Sequence, residues 1–104
     1  MSTVILSVPH EGSAFVVNVS GDFDLPDRGS LAAHVQAALS QGATSVVVDL
    51  SDVTFFGSVG LSDLVEGRRL CRASGTELWL RGPSHGLLRI LEVTGLVGLF
   101  PIAE

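Results

Sequence analysis

Lysine is missing from this chain: all six basic residues are arginines. Two functional classes fall with it, because the phosphate loop of P-loop nucleotidases and the Schiff-base enzymes both need a lysine amine. Charge of either sign is scarce, at 16% of residues, against about 25% in an average globular protein. The balance is acidic, net −5, and Arg68, Arg69 and Arg72 are confined to one short stretch. No extended basic face is left to follow a phosphate backbone, so nucleic acid is not an expected partner. The single cysteine, Cys71, cannot close an internal disulfide. It reads as a small buried thiol and suits a reducing cytoplasm. No apolar run approaches the roughly 18 residues of a membrane span, and the N-terminus lacks a basic region followed by a long apolar one. The expectation is a cytoplasmic domain with no direct membrane insertion.

What the chain does have is apolar bulk. Hydrophobic residues make up 46% and glycines number 12, which is too apolar for disorder. Its 104 residues are one domain's worth, 1–104. A domain of that size buries roughly 65% of its unfolded surface and stands without disulfide or metal.

Val4 to Val8 reads as a short strand ended by Pro9, and Ala14 to Ser20 as a second, with Gly12-Ser13 turning between them in an antiparallel hairpin. Asp24 offers an N-cap oxygen, with Pro26 and Asp27 in the first turn of a helix. That helix buries Leu31, Val35, Ala38 and Leu39 at spacings of three and four and stops at Gly42. Ser45 to Leu50, around Val46-Val47-Val48, has the β-branched run of a buried parallel strand. A second helix runs from near Ser58 to Gly75, and a strand from Glu77 to Arg81. Ser84 caps a third helix with Leu87, Leu88, Leu91 and Val93, stopped by Gly95. Leu96 to Ile102 is a last short strand or extended tail. The order β-β-α-β-α-β-α-β predicts an α/β domain: a mostly parallel sheet of four to five strands, an antiparallel N-terminal edge strand, and helices packed on it.

In such sheets ligands gather at the carboxyl ends of strands. That points to the segment from Asp52 to Leu61 after the Val46-Val48 strand. Ser58, at the helix start, reads two ways. It is an N-cap, worth about 1 kcal/mol, or it is an accessible hydroxyl at a helix N-terminus, flanked by Gly57 and Gly60, where a phosphate is tolerated. A catalytic serine fails on spacing, since the nucleophile elbow needs glycine where Phe56 stands. His10, His34 and His85 are not placed to activate it, and no His, Cys or carboxylate pair has a metal-ligand spacing. The expectation is no enzyme, no metal and no cofactor. Asp22 and Asp24 end the second strand; if that strand neighbours the Val46-Val48 strand, they form an acidic rim beside Ser58, with Asp24 also capping. Phe55, Phe56 and Trp79 are core by default.

In that order and at those spacings, several segments resemble the STAS domains, and within them the bacterial anti-sigma factor antagonists. They are Gly21-Asp22-Phe23-Asp24, Val47-Val48-Asp49-Leu50-Ser51, Val53-Thr54-Phe55, Gly60-Leu61 and Leu91-Glu92-Val93-Thr94-Gly95-Leu96. The resemblance covers nearly the whole chain. It implies a small α/β protein that binds an anti-sigma factor, often a serine-protein kinase of the histidine-kinase-like ATPase class, and so releases a sigma factor. It implies that Ser58 is the serine this partner phosphorylates, that a serine phosphatase resets it, and that Asp22, Asp24, Gly57, Ser58, Val59, Gly60 and Leu61 form the partner-binding surface. The usual loop is Asp-Ser-Ser/Thr-Gly-Leu. Here Gly57 replaces the aspartate and Val59 the second hydroxyl. The same resemblance carries an alternative: an accessory, scaffolding STAS subunit of a membrane transport assembly such as an ABC-type lipid transporter.

Overall fold

The computed structural model of the chain describes residues 4–9 and 14–103; His10 and the Gly12-Ser13 turn lie outside them. Strand alternation builds the core. In β2 (Ala14–Phe23), Phe15, Val17, Val19 and Phe23 are buried on one face, while Asn18, Ser20 and Asp22 on the other are partly exposed. Val46, Val48 and Leu50 of β3 (Ser45–Phe56) and Leu78 and Leu80 of β4 (Glu77–Arg81) continue that inner face. A period of two is what a sheet with one packed face requires.

The five strands lie in sequence order. β1 (Val4–Pro9) runs antiparallel to β2, and β2, β3, β4 and the two-residue β5 (Ile102–Ala103) run parallel. Parallel neighbours need crossovers, and helices supply them. They are α1 (Ser30–Ser40), α2 (Ser58–Ala73) and α3 (His85–Val93). Leu31 and Val35 of α1, Val59, Leu64 and Cys71 of α2, and Leu87 and Leu91 of α3 join the inner sheet face in one hydrophobic cluster. The outer face carries Asn18, Asp49, Trp79 and Arg81, each only half-buried.

Three features depart from the sequence reading. The second and third strands run on to Phe23 and Phe56, so Asp52 to Phe56 is strand, not loop. Irregularities in the β2–β3 register near Ser20 and Gly21 absorb the extra length. The helix expected from Asp24 is two pieces. Asp24 caps a 3-10 turn, Leu25–Asp27, its Oδ1 accepting the Leu25 N–H at 2.9 Å while Asp27 accepts the Asp24 N–H at 3.0 Å. Gly29, at φ +84°, then redirects the chain into α1. Finally, the last strand is preceded by a 3-10 turn, Val97–Leu99, and shrinks to Ile102–Ala103.

Gly29 has no side chain to cap α1, and the cap comes from α2. Asp63, buried at 5% exposure, accepts the N–H groups of Gly29 (3.0 Å), Leu31 (3.0 Å) and Ala32 (3.3 Å). A buried carboxylate is tolerated there because the α1 N-terminus offers both donors and the positive end of its dipole. This carboxylate ties the two helices together at the end of the molecule that carries Ser58.

Candidate functional site

The carboxyl ends of β2 and β3 finish side by side. Asp22 is opposite Phe55 and Phe23 opposite Phe56, and the Gly57 N–H donates to the Phe23 carbonyl at 2.9 Å. The acidic segment and the Ser58 segment, more than thirty positions apart in the chain, therefore meet at one edge. α2 begins there. Its N-cap is Gly57, in extended conformation and with no side chain to cap, and Ser58 is the first helical residue. The N-cap reading of Ser58 is thereby replaced. Its hydroxyl is exposed and makes no hydrogen bond among the described residues. The first turn of α2 holds no acidic side chain of its own, so its first amides have no side-chain cap from within the helix.

The two glycines have separate reasons. A Cβ at position 60 would lie 2.7 Å from the Phe56 ring, and that ring packs against Phe23 with centroids 5.3 Å apart. Gly60 is thus the residue that lets Phe56 lie flat on the helix. A Cβ at position 57 would stand 3.3 Å from Asp24 Oδ1 and 3.3 Å from the Phe55 ring. The Asp24 carboxylate thus stands close beside position 57.

The remaining sequence-predicted residues divide. Asp24 is exposed and Asp22 half-buried at the same edge, whereas Val59 and Gly60 are buried and Leu61 half-buried against the core. Asp22 is not merely solvated: its carboxylate accepts the Thr54 hydroxyl, which holds its pKa below the usual carboxylate value. Two exposed apolar side chains lie here: Leu25, which the sequence reading did not single out, is 63% exposed, and Phe55, expected to be core, is 51% exposed. Trp79 and Val93, also expected to face the core, are half-buried and 75% exposed, because Trp79 lies on the helix-free face of the sheet and Val93 ends α3. Phe55 and Phe56 are adjacent on a strand, so one must point out; which one is set by the irregular β2–β3 register, which puts Phe56 opposite the buried Phe23. Beside Phe55, a cavity of about 190 Å³ opens towards α3, lined by Leu50, Thr54, Ser84, Leu87 and Ile90. Ser84 does cap α3, accepting the Leu87 N–H at 3.1 Å.

Neither histidine among the described residues is hydrogen-bonded to Ser58. His34 Nδ1 is 2.8 Å from the Ser30 carbonyl within α1, and His85 is the exposed first residue of α3. Cys71 is buried, and burial pushes its thiol up to about 11, the opposite of a nucleophile's tuning. The edge thus gathers an exposed hydroxyl, two carboxylates and two exposed apolar side chains.

Comparison with known proteins gives the same direction. Over 87 residues, 84% of this chain and 79% of the relative, the chain is 29% identical to an anti-sigma-B factor antagonist of Bacillus subtilis. A solved anti-sigma factor antagonist from Mycobacterium paratuberculosis is similar at 29% identity and TM-score 0.77, covering 97% of this chain and 85% of that one. The Bacillus SpoIIAA structures share the fold at 20% identity: TM-score 0.81 in the unphosphorylated form (97% and 89% covered) and 0.76 in the phosphorylated form (97% and 92% covered). The family description "Mlab, STAS domain" matches residues 6–101, and with that span lying across every element from β1 to the approach to β5, the chain belongs to the STAS domain family.

Proposed function

We propose that this protein is an anti-sigma factor antagonist whose grip on its partner is switched by phosphorylation of Ser58. The observation that carries the reading is the exposed, uncommitted Ser58 hydroxyl at the uncapped start of α2, one residue from the β2–β3 edge that holds Asp22 and Asp24. The relatives' shared role as antagonists supports it.

Phe55 and Leu25 supply apolar anchors around Ser58, and the carboxylates of Asp22 and Asp24 meet arginine or lysine on the anti-sigma factor and set its register. The partner is a serine-protein kinase of the histidine-kinase-like ATPase class. It transfers the γ-phosphoryl group of ATP to Ser58 Oγ, its own base takes the hydroxyl proton, and ADP leaves. Phosphate adds about −1.5 to −2 charges beside Asp24. The helix start satisfies that charge within the fold, while the docked surface loses its complementarity and the partner departs. A serine phosphatase restores the hydroxyl. The chain acts as substrate and ligand, not as enzyme. No helix among the described residues is long and apolar enough to cross a membrane.

The test is affinity capture from the native lysate with wild type, Ser58→Ala and Ser58→Glu as baits, together with a search for phosphate on Ser58 of the native protein. An ATPase-type anti-sigma factor captured by wild type and Ser58→Ala but not Ser58→Glu, with phosphate found, is the expected result. The buried Val59, which leaves the loop one hydroxyl short of the usual pattern, favours a second reading as a scaffolding subunit of a transport assembly. Equal capture of transporter components by all three baits would establish that reading instead.

A further inference from the structure

Four of the six arginines are accounted for unequally. Arg69 is paired with Glu66 at 2.6 Å and Arg81 with Asp49 at 3.6 Å. Arg68 and Arg72 have no carboxylate within ion-pair distance among the described residues, yet both line one cavity of about 280 Å³ with Thr76, Glu77, Leu99 and Pro101. The two stand one helical turn apart near the end of α2, on the same side of it. Arg68 is held in place: its Nε donates to the Leu99 carbonyl at 2.9 Å, which fixes the guanidinium plane and leaves its terminal nitrogens to other acceptors. Thr76 is buried beneath them. In a protein of net charge −5, this concave wall with two guanidiniums and one carboxylate carries one net positive side-chain charge, which outweighs the partial negative charge at the end of α2.

From this we infer a second binding site, for a small organic phosphate monoester. A carboxylate is satisfied by one guanidinium fork, whereas a phosphate offers a third oxygen and a second charge that two arginines can share. The other wall, Leu99 and Pro101 with Leu78 beneath, is apolar and accepts a short hydrocarbon portion of the ester. The volume falls just below the span of typical ligand sites, about 300–1,000 Å³, so the occupant is smaller than a nucleotide. The site is separate from Ser58, about 15 Å (Arg68) to 21 Å (Arg72) away along α2 at 1.5 Å per residue, and does not depend on the switch reading.

Titration of the full chain with butyl phosphate, followed by ¹H–¹⁵N NMR, tests the assignment. Saturable shifts are expected at the amides of Gly75, Thr76 and Glu77, with inorganic phosphate binding more weakly and butyrate more weakly still. Arg72→Gln, at an exposed position, should weaken binding about tenfold, the loss of one charged hydrogen-bonding partner. Arg69→Gln, on the same helix but outside the cavity, should leave it unchanged. Each variant's amide spectrum reports whether it folds, and Arg68→Gln stands in if Arg72→Gln does not. The site is overturned if butyl phosphate shifts no amide there saturably, shifts only those of Ser58 to Leu61, or binds the folded arginine variant as well as wild type. Butyrate binding as tightly as butyl phosphate would overturn the phosphate assignment, and inorganic phosphate binding as tightly would overturn the apolar half.

Discussion

At the scale of single residues, the Ser58 edge is a matter of what does not fit. Position 60 must be glycine because the Phe56 ring occupies the space of a side chain. Gly60→Ala should therefore cost about 1–3 kcal/mol, as overpacking does, although alanine is the better helix former. Urea unfolding would show it as a lower midpoint with unchanged slope. Position 57 is tight for a different reason, the Asp24 carboxylate. Restoring the family's usual aspartate, Gly57→Asp, sets two like charges together. It should lower the melting temperature, and adding Asp24→Asn should recover most of the loss; a double-mutant cycle measures that coupling. Cys71 makes a pH-dependent prediction. Burial raises its pKa from 9.0 to about 11, so the folded state favours the thiol. That contribution is full below pH about 9 and is lost as pH rises towards 11. Cys71→Ala should flatten this alkaline decline, and native Cys71 should resist thiol reagents at pH 8.

At the scale of elements, the decisive contact is Asp63 on the start of α1. Three amide donors depend on one carboxylate from another helix. Asp63→Ala would strand them in a buried setting, with an expected loss of about 2–3 kcal/mol or more. Asp63→Asn should recover only part, since one of its two atoms is a donor facing donors. Hydrogen exchange at Leu31 and Ala32 would localise the effect, and unchanged exchange there would refute the cap. How elements were readable in the sequence follows the same division. α1 and α3 were legible because their patterns are local, with apolar residues at spacings of three and four. The break at Gly29 was not, because Asp24, Pro26 and Asp27 carry good helix-start chemistry that a 3-10 turn uses equally well. Nor was the far end of β3, where Asp52 and Thr54 look like loop residues until β2 is seen beside them.

At the scale of the molecule, the sheet has two unlike faces and the chain two unlike ends. Helices cover one face, and the single tryptophan, Trp79, lies half-buried on the other. Trp79 is opposite Val47, about ten residues and roughly 30 Å of extended strand from the Ser58 end. Its fluorescence should therefore be open to iodide quenching in the native state. Binding of an anti-sigma factor at the Ser58 end should leave that quenching unchanged; protection of Trp79 would place the partner on the outer face instead.

Sequence alone was enough for the class of fold, the order of its elements, most of the inward-facing residues though not Phe55, Trp79 or Val93, the exclusion of lysine chemistry and the family resemblance, all of which rest on patterns a few residues long. Tertiary structure alone decided that Asp22 and Asp24 come to the Ser58 edge, that Gly57 rather than Ser58 is the N-cap, that Asp24 fills the space beside position 57, and that Arg68 and Arg72 share a cavity. The reason is physical: hydrophobic periodicity is encoded along the chain, but a site is made by strand register and helix crossing, which bring together side chains from distant segments.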